Sequence, residues 1–131
     1  MAMASALEGL RLLVVEDEAM VAMMIENMLD DLGCIVVGVA GTVSRGLAMA
    51  GDEKLSLDGA ILDVNLGGEK VYPVAEALLS RHVPFIFSTG YGLDGINSSF
   101  SHVPALAKPY EQHQLETMLF SAIVPGGSRG S

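Results

Sequence analysis

The stretch Leu10-Arg11-Leu12-Leu13-Val14-Val15-Glu16-Asp17-Glu18 decides how the rest of the chain is read. Its first six residues are a short, β-branched, nearly continuous apolar run, the pattern of a strand covered on both faces in a parallel sheet. Three acids follow at once. From Ala19 the period becomes helical, with Val21, Met24, Ile25, Met28 and Leu32 on one face and Glu26, Asn27, Asp30 and Asp31 mostly away from it. Gly33 then ends the helix.

Moving outward, the same alternation recurs. Ile35 to Ala40 reads as a strand, Thr42 caps a helix running to Gly51, and Ala60 to Asp63 is a third strand. A helix with Pro73 in its first turn runs through Tyr72 to Arg81, and Pro84 to Thr89 is a fourth strand. A shorter fifth lies around Val103 to Ala107. The last helix starts at Glu111 and carries an apolar stripe of Leu115, Met118, Leu119, Ala122 and Ile123. Five βα units with short connections predict a doubly wound α/β fold: a parallel sheet, right-handed crossovers and helices on both faces. Between Gly90 and His102 the rhythm fails. Gly92, Gly95, Asn97, Ser98, Ser99 and Ser101 offer little helix propensity, so the fourth helix is expected to be short, mobile or missing.

At 131 residues the chain has the size of one domain. That domain is assigned to residues 9–124, with 1–8 a flexible N-terminus and 125–131 a disordered tail or appended remnant. A composition 50% hydrophobic and 18% charged is that of a compact folded protein. The net charge of −9, with only seven Lys and Arg, argues against a nucleic-acid surface. No apolar run approaches the ~20 residues of a membrane span and no secretion signal opens the chain, so a cytoplasmic location is expected. The lone Cys34 opens the apolar run Cys34-Ile35-Val36-Val37 and reads as a packed thiol. Met23, Met24 and Met28 read as core filler at helical spacing. His82, His102 and His113 share no spacing or acidic companion that would give them a catalytic or metal role.

In a doubly wound sheet the carboxyl ends of the strands line a ligand crevice. Glu16, Asp17, Asp63, Thr89 and Lys108 all follow apolar strands, so four strands end in residues useful for phosphoryl chemistry. Carboxylates gathered within a few ångströms repel one another unless a cation neutralises them. Oxygen ligands without Cys or His suit Mg²⁺, with Glu16 and Asp17 on the metal side. Asp63 is the best nucleophile: it ends a buried strand, precedes the turn Asn65-Leu66-Gly67-Gly68, and carboxylates form aspartyl phosphates. The plainer alternative is a helix cap. Lys108 and Thr89 are placed to neutralise and hydrogen-bond a phosphoryl group. Pro109 after the Lys can fix the strand-to-helix turn, a cis bond being one way, and aim the ammonium inward.

These residues, in this order, resemble the receiver domain of two-component response regulators. The likeness rests on Val15-Glu16-Asp17-Glu18, Leu62-Asp63-Val64-Asn65-Leu66, Ser88-Thr89-Gly90 and Lys108-Pro109, and covers roughly residues 9 to 124. Phe87-Ser88-Thr89-Gly90-Tyr91, the preceding Val83-Pro84-Phe85-Ile86 and the Gly68-Glu69 turn resemble the subgroup named for a Phe-Ala-Thr-Gly-Tyr run. The resemblance implies a flavodoxin-like (βα)5 fold with strand order 2-1-3-4-5. It implies a single-domain response regulator phosphorylated on Asp63 by a histidine kinase or histidine phosphotransfer protein, acting through partner binding or phosphorelay. Asp17, Asp63 and the Asn65 carbonyl would bind Mg²⁺, with Glu16 assisting through water. Lys108 would pair with the phosphoryl group and Thr89 would sense it. Such a domain is a phosphoacceptor and not an enzyme in the ordinary sense, a monomer or weak homodimer without nucleic-acid or membrane partners. The aromatic switch residue usual three positions before the Lys is Ala105 here, leaving Tyr91 as the candidate substitute. Phosphorylation is expected to order the segment from Tyr91 to His102.

Three rival readings remain at this stage. A Mg²⁺-dependent phosphohydrolase with an aspartyl nucleophile would want a second acid where Asn65 stands, and a cap over the site. A flavodoxin-like cofactor binder would want a Gly-, Ser- and Thr-rich cradle after the first strand, where Glu16-Asp17-Glu18 stands instead. A degenerate receiver that binds partners unphosphorylated would be expected to lack part of the acid, Thr and Lys set.

Overall fold

The computed structural model of the chain describes residues 6–90 and 96–124. The apolar runs form strands β1 (Arg11–Val15), β2 (Ile35–Ala40), β3 (Gly59–Asp63), β6 (Phe85–Thr89) and β7 (Ala105–Ala107). They build one parallel sheet in the order β2-β1-β3-β6-β7, so the five main strands run 2-1-3-4-5. Every residue of β3 and β6 is buried, because these central strands are covered on both faces. Asn65–Leu66 (β4) and Glu69–Lys70 (β5) pair as a small antiparallel hairpin where the sequence pattern predicts a simple turn. Gly67 and Gly68 close it with φ of +55° and +94°, a conformation that L side chains disfavour and glycine adopts freely.

Among the described residues four complete α-helices flank the sheet: α1 (Ala19–Asp31), α2 (Val43–Ala50), α3 (Tyr72–Ser80) and α4 (Gln112–Ala122). Their ends follow from local chemistry. Thr42 Oγ1 accepts from the Arg45 amide at 3.1 Å, and Glu111 and Gln114 form a reciprocal capping box on α4. Pro73 sits in the first turn of α3, where its missing N–H costs nothing. Between β6 and β7 the described residues hold one 3₁₀ turn, Ser98–Phe100, capped by Asn97 Oδ1 on the Ser99 amide at 2.9 Å, and no α-helix. Tyr91, the candidate switch aromatic, and residues 125–131 lie outside the described residues.

Two cores result. One, under α2 and α3, joins Leu13, Val15, Leu62, Val74 and Leu78 to a cluster of rings. Phe87 is fully buried and meets Tyr72, Phe85 and Phe100 edge-on or tilted at 5.6 to 6.0 Å, while Tyr72 and Phe100 stack at 5.1 Å. The Asn97 amide donates to Tyr72 Oη at 2.7 Å, so α3 and the 3₁₀ turn are tied together. The other core joins α1 and α4 through Leu12, Val14, Ile25, Leu29, Leu115 and Leu119. Gly59 permits this packing: a Cβ there would stand 2.6 Å from Ile123 at the end of α4.

Two expectations need correcting. The buried face of α1 is Ala22, Ile25 and Leu29, so Met23 and Met24 point outward at 59% and 51% exposure, joined by Met20 at 79%. The helix is apolar around much of its circumference, which leaves the rotational phase undetermined by pattern alone. Residues 6–8 are likewise no loose end. Leu7 is fully buried in the α1/α4 core, Gly9 N donates to Gly33 O at 2.8 Å, and Leu7 O accepts from Cys34 Sγ at 3.6 Å. Burial of that thiol pushes its pKa up to about 11, in keeping with a packing role.

Candidate functional site

The carboxyl ends of β1, β3, β6 and β7 meet at a cavity of about 430 Å³ lined by Asp17, Asp63, Asn65, Lys70, Thr89 and Lys108, among others. The described site residues read from the sequence therefore converge, except that Glu16 and Pro109 stand beside the cavity instead of lining it; Tyr91 lies outside the described residues.

Asp63 ends β3 and is 6% exposed; Oδ1 accepts from the Asn65 amide at 3.3 Å and Oδ2 from Lys108 Nζ at 3.2 Å. Glu16, 2% exposed, takes the shorter bond to the same ammonium, 2.8 Å at Oε1, while its Oε2 accepts from the Glu18 amide at 3.1 Å. Burial pushes the Glu16 carboxyl above its ordinary pKa, a rise that its bonds to Lys108 and Glu18 oppose and neighbouring Asp63 reinforces. For Lys108, burial alone would favour the neutral amine. The Glu16 bond and the charges of Asp63 and Glu16 outweigh it and hold the ammonium above its usual pKa. Lys108 reaches inward from the end of β7 across a cis bond to Pro109.

Asp17 is exposed at the rim, and its Oδ2 accepts from the Gly67 amide at 3.0 Å, which fastens the β4–β5 hairpin to the end of β1. Thr89, 4% exposed, ends β6 beside Asp63. Behind the carboxylates lie the buried Ser88 hydroxyl and Tyr110, whose phenol is pushed up by burial. The ligating oxygens of Glu16, Asp17 and Glu18 fall within 4.8 Å of one another. No His or Cys lines the cavity among the described residues, so the donor set is one of oxygens and suits a hard cation such as Mg²⁺.

Sequence reasoning missed the backbone donors of Glu18 and Gly67, and Lys70. The Gly67-Gly68 pair was an available hairpin signal; nothing in the sequence marked Lys70.

The chain is similar to SdrG from Sphingomonas melonis Fr1, 42% identical over 91% of this chain and 96% of that one, with a TM-score of 0.75. It is also similar to the receiver domain of sensor histidine kinase PA1611 from Pseudomonas aeruginosa PAO1, 26% identical over 88% and 98% of the two chains, TM-score 0.76. The chain belongs to the response-regulator receiver family. The receiver is 31% identical over 117 residues to the phyllosphere-induced regulator PhyR of Methylorubrum extorquens. The match takes in 86% of this chain and spans 43% of PhyR's length. No protein-family model matches the chain. In the PA1611 receiver a magnesium ion is coordinated in the active-site cleft.

Proposed function

We propose that this receiver accepts a phosphoryl group on Asp63 from a histidine kinase or histidine phosphotransfer protein in the cytoplasm. It would then signal by phosphorylation-dependent partner binding or by passing the group on. One observation carries the reading: a nearly buried carboxylate at the end of a central strand shares a cavity with Thr89 and is bonded to Lys108 at 3.2 Å. In the transfer an Asp63 oxygen forms a bond to phosphorus while the bond from phosphorus to the donor's imidazole nitrogen breaks. The nitrogen keeps the electron pair. Lys108 offers its ammonium, and Thr89 its hydroxyl, to the oxygens of the transferred group. Asp17, Asp63 and the Asn65 carbonyl would hold Mg²⁺, with Glu16 assisting. When bound, the ion supplies positive charge to the phosphoryl oxygens. The outward methionines of α1 and the apolar groove formed by Val21, Met24, Ile25, Met28, Pro109 and Tyr110 support a protein donor, since Lys108 borders both that groove and the acidic cavity.

Intact mass after incubation with Mg²⁺ and acetyl phosphate tests the reading. The wild type is expected to gain one labile phosphoryl group and Asp63→Asn none. A wild type that gains nothing would instead indicate an interaction module that works unphosphorylated.

A further inference from the structure

Cations are scarce in this chain of net charge −9, and three of the six described are committed. Arg81 donates to the carbonyls of Ala50 at 2.7 Å and Leu55 at 3.0 Å, and Arg11 Nε donates to Ser56 O at 3.0 Å. Lys108 serves two carboxylates. Lys70 differs. It is exposed at the end of the β4–β5 hairpin, lines the same cavity as Asp63, and has no ion-pair partner among the described residues.

Its position is fixed by the backbone. Lys70 pairs with Asn65, two residues beyond Asp63, and the hairpin is held by the Gly67–Asp17 bond at 3.0 Å and by Val71 N donating to Val64 O at 3.0 Å. The ammonium is thus tethered at the mouth on a short, braced element. A phosphate-bearing donor approaching this mouth meets the exposed carboxylates of Asp17 and Glu18 on a strongly negative protein. Lys108 cannot answer that repulsion from a distance, because its charge is already balanced by Glu16 and Asp63 and largely hidden from solvent. Lys70 is the uncommitted positive charge on the approach path, and an exposed charge acts on encounter and initial hold more than on the chemistry beyond.

We propose that Lys70 is the entry cation of this site: it draws in the anionic phosphoryl group of the donor and sets how tightly the donor is held before transfer to Asp63. The inference rests on the reading of Asp63 as phosphoacceptor. Lys70 does not hold the product, so it governs capture and leaves the lifetime of the phosphorylated state alone.

The test measures the rate of phosphoryl gain by intact mass against acetyl phosphate concentration, with Mg²⁺ present, for wild type, Lys70→Ala, Lys70→Glu and Lys70→Arg. At low salt the half-saturating donor concentration is expected to rise about threefold to fivefold in Lys70→Ala and further in Lys70→Glu, with Lys70→Arg restoring the wild-type value. The limiting rate and the phosphoryl lifetime are expected to stay within about twofold, and the differences to collapse near 1 M salt, where screening acts over about 3 Å. Equal half-saturation in wild type, Ala and Glu variants at low salt overturns the inference. So does a loss that persists at high salt or falls on the limiting rate alone. A wild type that gains no phosphoryl group removes the reading of Asp63 and this inference together, whereas normal wild-type gain with indifferent Lys70 variants removes only the inference.

Discussion

Under α2 and α3 the sheet is closed by small residues and rings: Gly46 lies so near Val74 that a Cβ would stand 2.9 Å from it, and four aromatic side chains lock onto one another around Phe87. Under α1 and α4 the core is largely aliphatic, and α1 turns three methionines outward, Met24 lining the groove that Lys108 borders. The first face directs its rings inward, linking α3 to the turn at Ser98–Phe100, and exposes only Leu47 and Leu79 among the large apolar side chains of its two helices. The second leaves apolar surface for something outside. One sheet thus carries an internal connector on one side and a contact surface on the other, with the acidic cavity at the strand ends between them.

The hardest blow to that contrast is Phe87→Ala. Losing a fully buried ring with three aromatic neighbours is expected to cost about 3–5 kcal/mol, read as a lowered urea midpoint. A loss below about 1 kcal/mol would mean the cluster is no connector.

Cys34 probes how dry the opposite face is. Its folded pKa of about 11 exceeds the ordinary 9.0, so the folded state holds the proton more tightly. That contribution is fully present below pH 9 and fades as pH rises toward 11. The stability difference between wild type and Cys34→Ala is expected to shift against the wild type by about 1 kcal/mol by pH 10 and roughly twice that by pH 11. An unchanged difference would show that water reaches the thiol.

The smallest stability effect is expected where the functional one should be clear. Replacing Met20, Met23 and Met24 by Ser is expected to change unfolding free energy by within about 0.5 kcal/mol per site, to leave phosphorylation by acetyl phosphate intact, and to slow transfer from a histidine-phosphorylated protein. Equal slowing with both donors would assign these residues to the site's architecture instead of to contact.

The strands were legible because a short, β-branched apolar run between polar stretches has nowhere to go but into a covered sheet, and the site because four such runs stop at Glu16, Asp63, Thr89 and Lys108. The outward phase of α1 was not, since methionines on several sides of a helix satisfy more than one rotation. Leu7 was hidden for a different reason: its burial depends on Gly33 and Cys34, which no local pattern around residue 7 announces. The stacking of Tyr72 on Phe100 and the grip of Glu16 on Lys108 are likewise facts of tertiary approach. Periodicity describes faces, and these are meetings between faces.

The bonds that make the site join distant parts of the chain: Glu16 to Lys108 across 92 residues, Asp17 to Gly67 across 50, and Asp63 to Lys108 across 45. No short segment can assemble it, and its last member arrives only after β7 has been laid against β6. Pairings of such long sequence separation are slow to form, because loop-closure entropy is lost before the contact is gained. The cavity is therefore a certificate of completed assembly: a growing or half-collapsed chain carries every acid of the site and still has no lysine in place among them. On the proposed reading of Asp63, competence to receive a phosphoryl group would arise with the finished sheet and not before it.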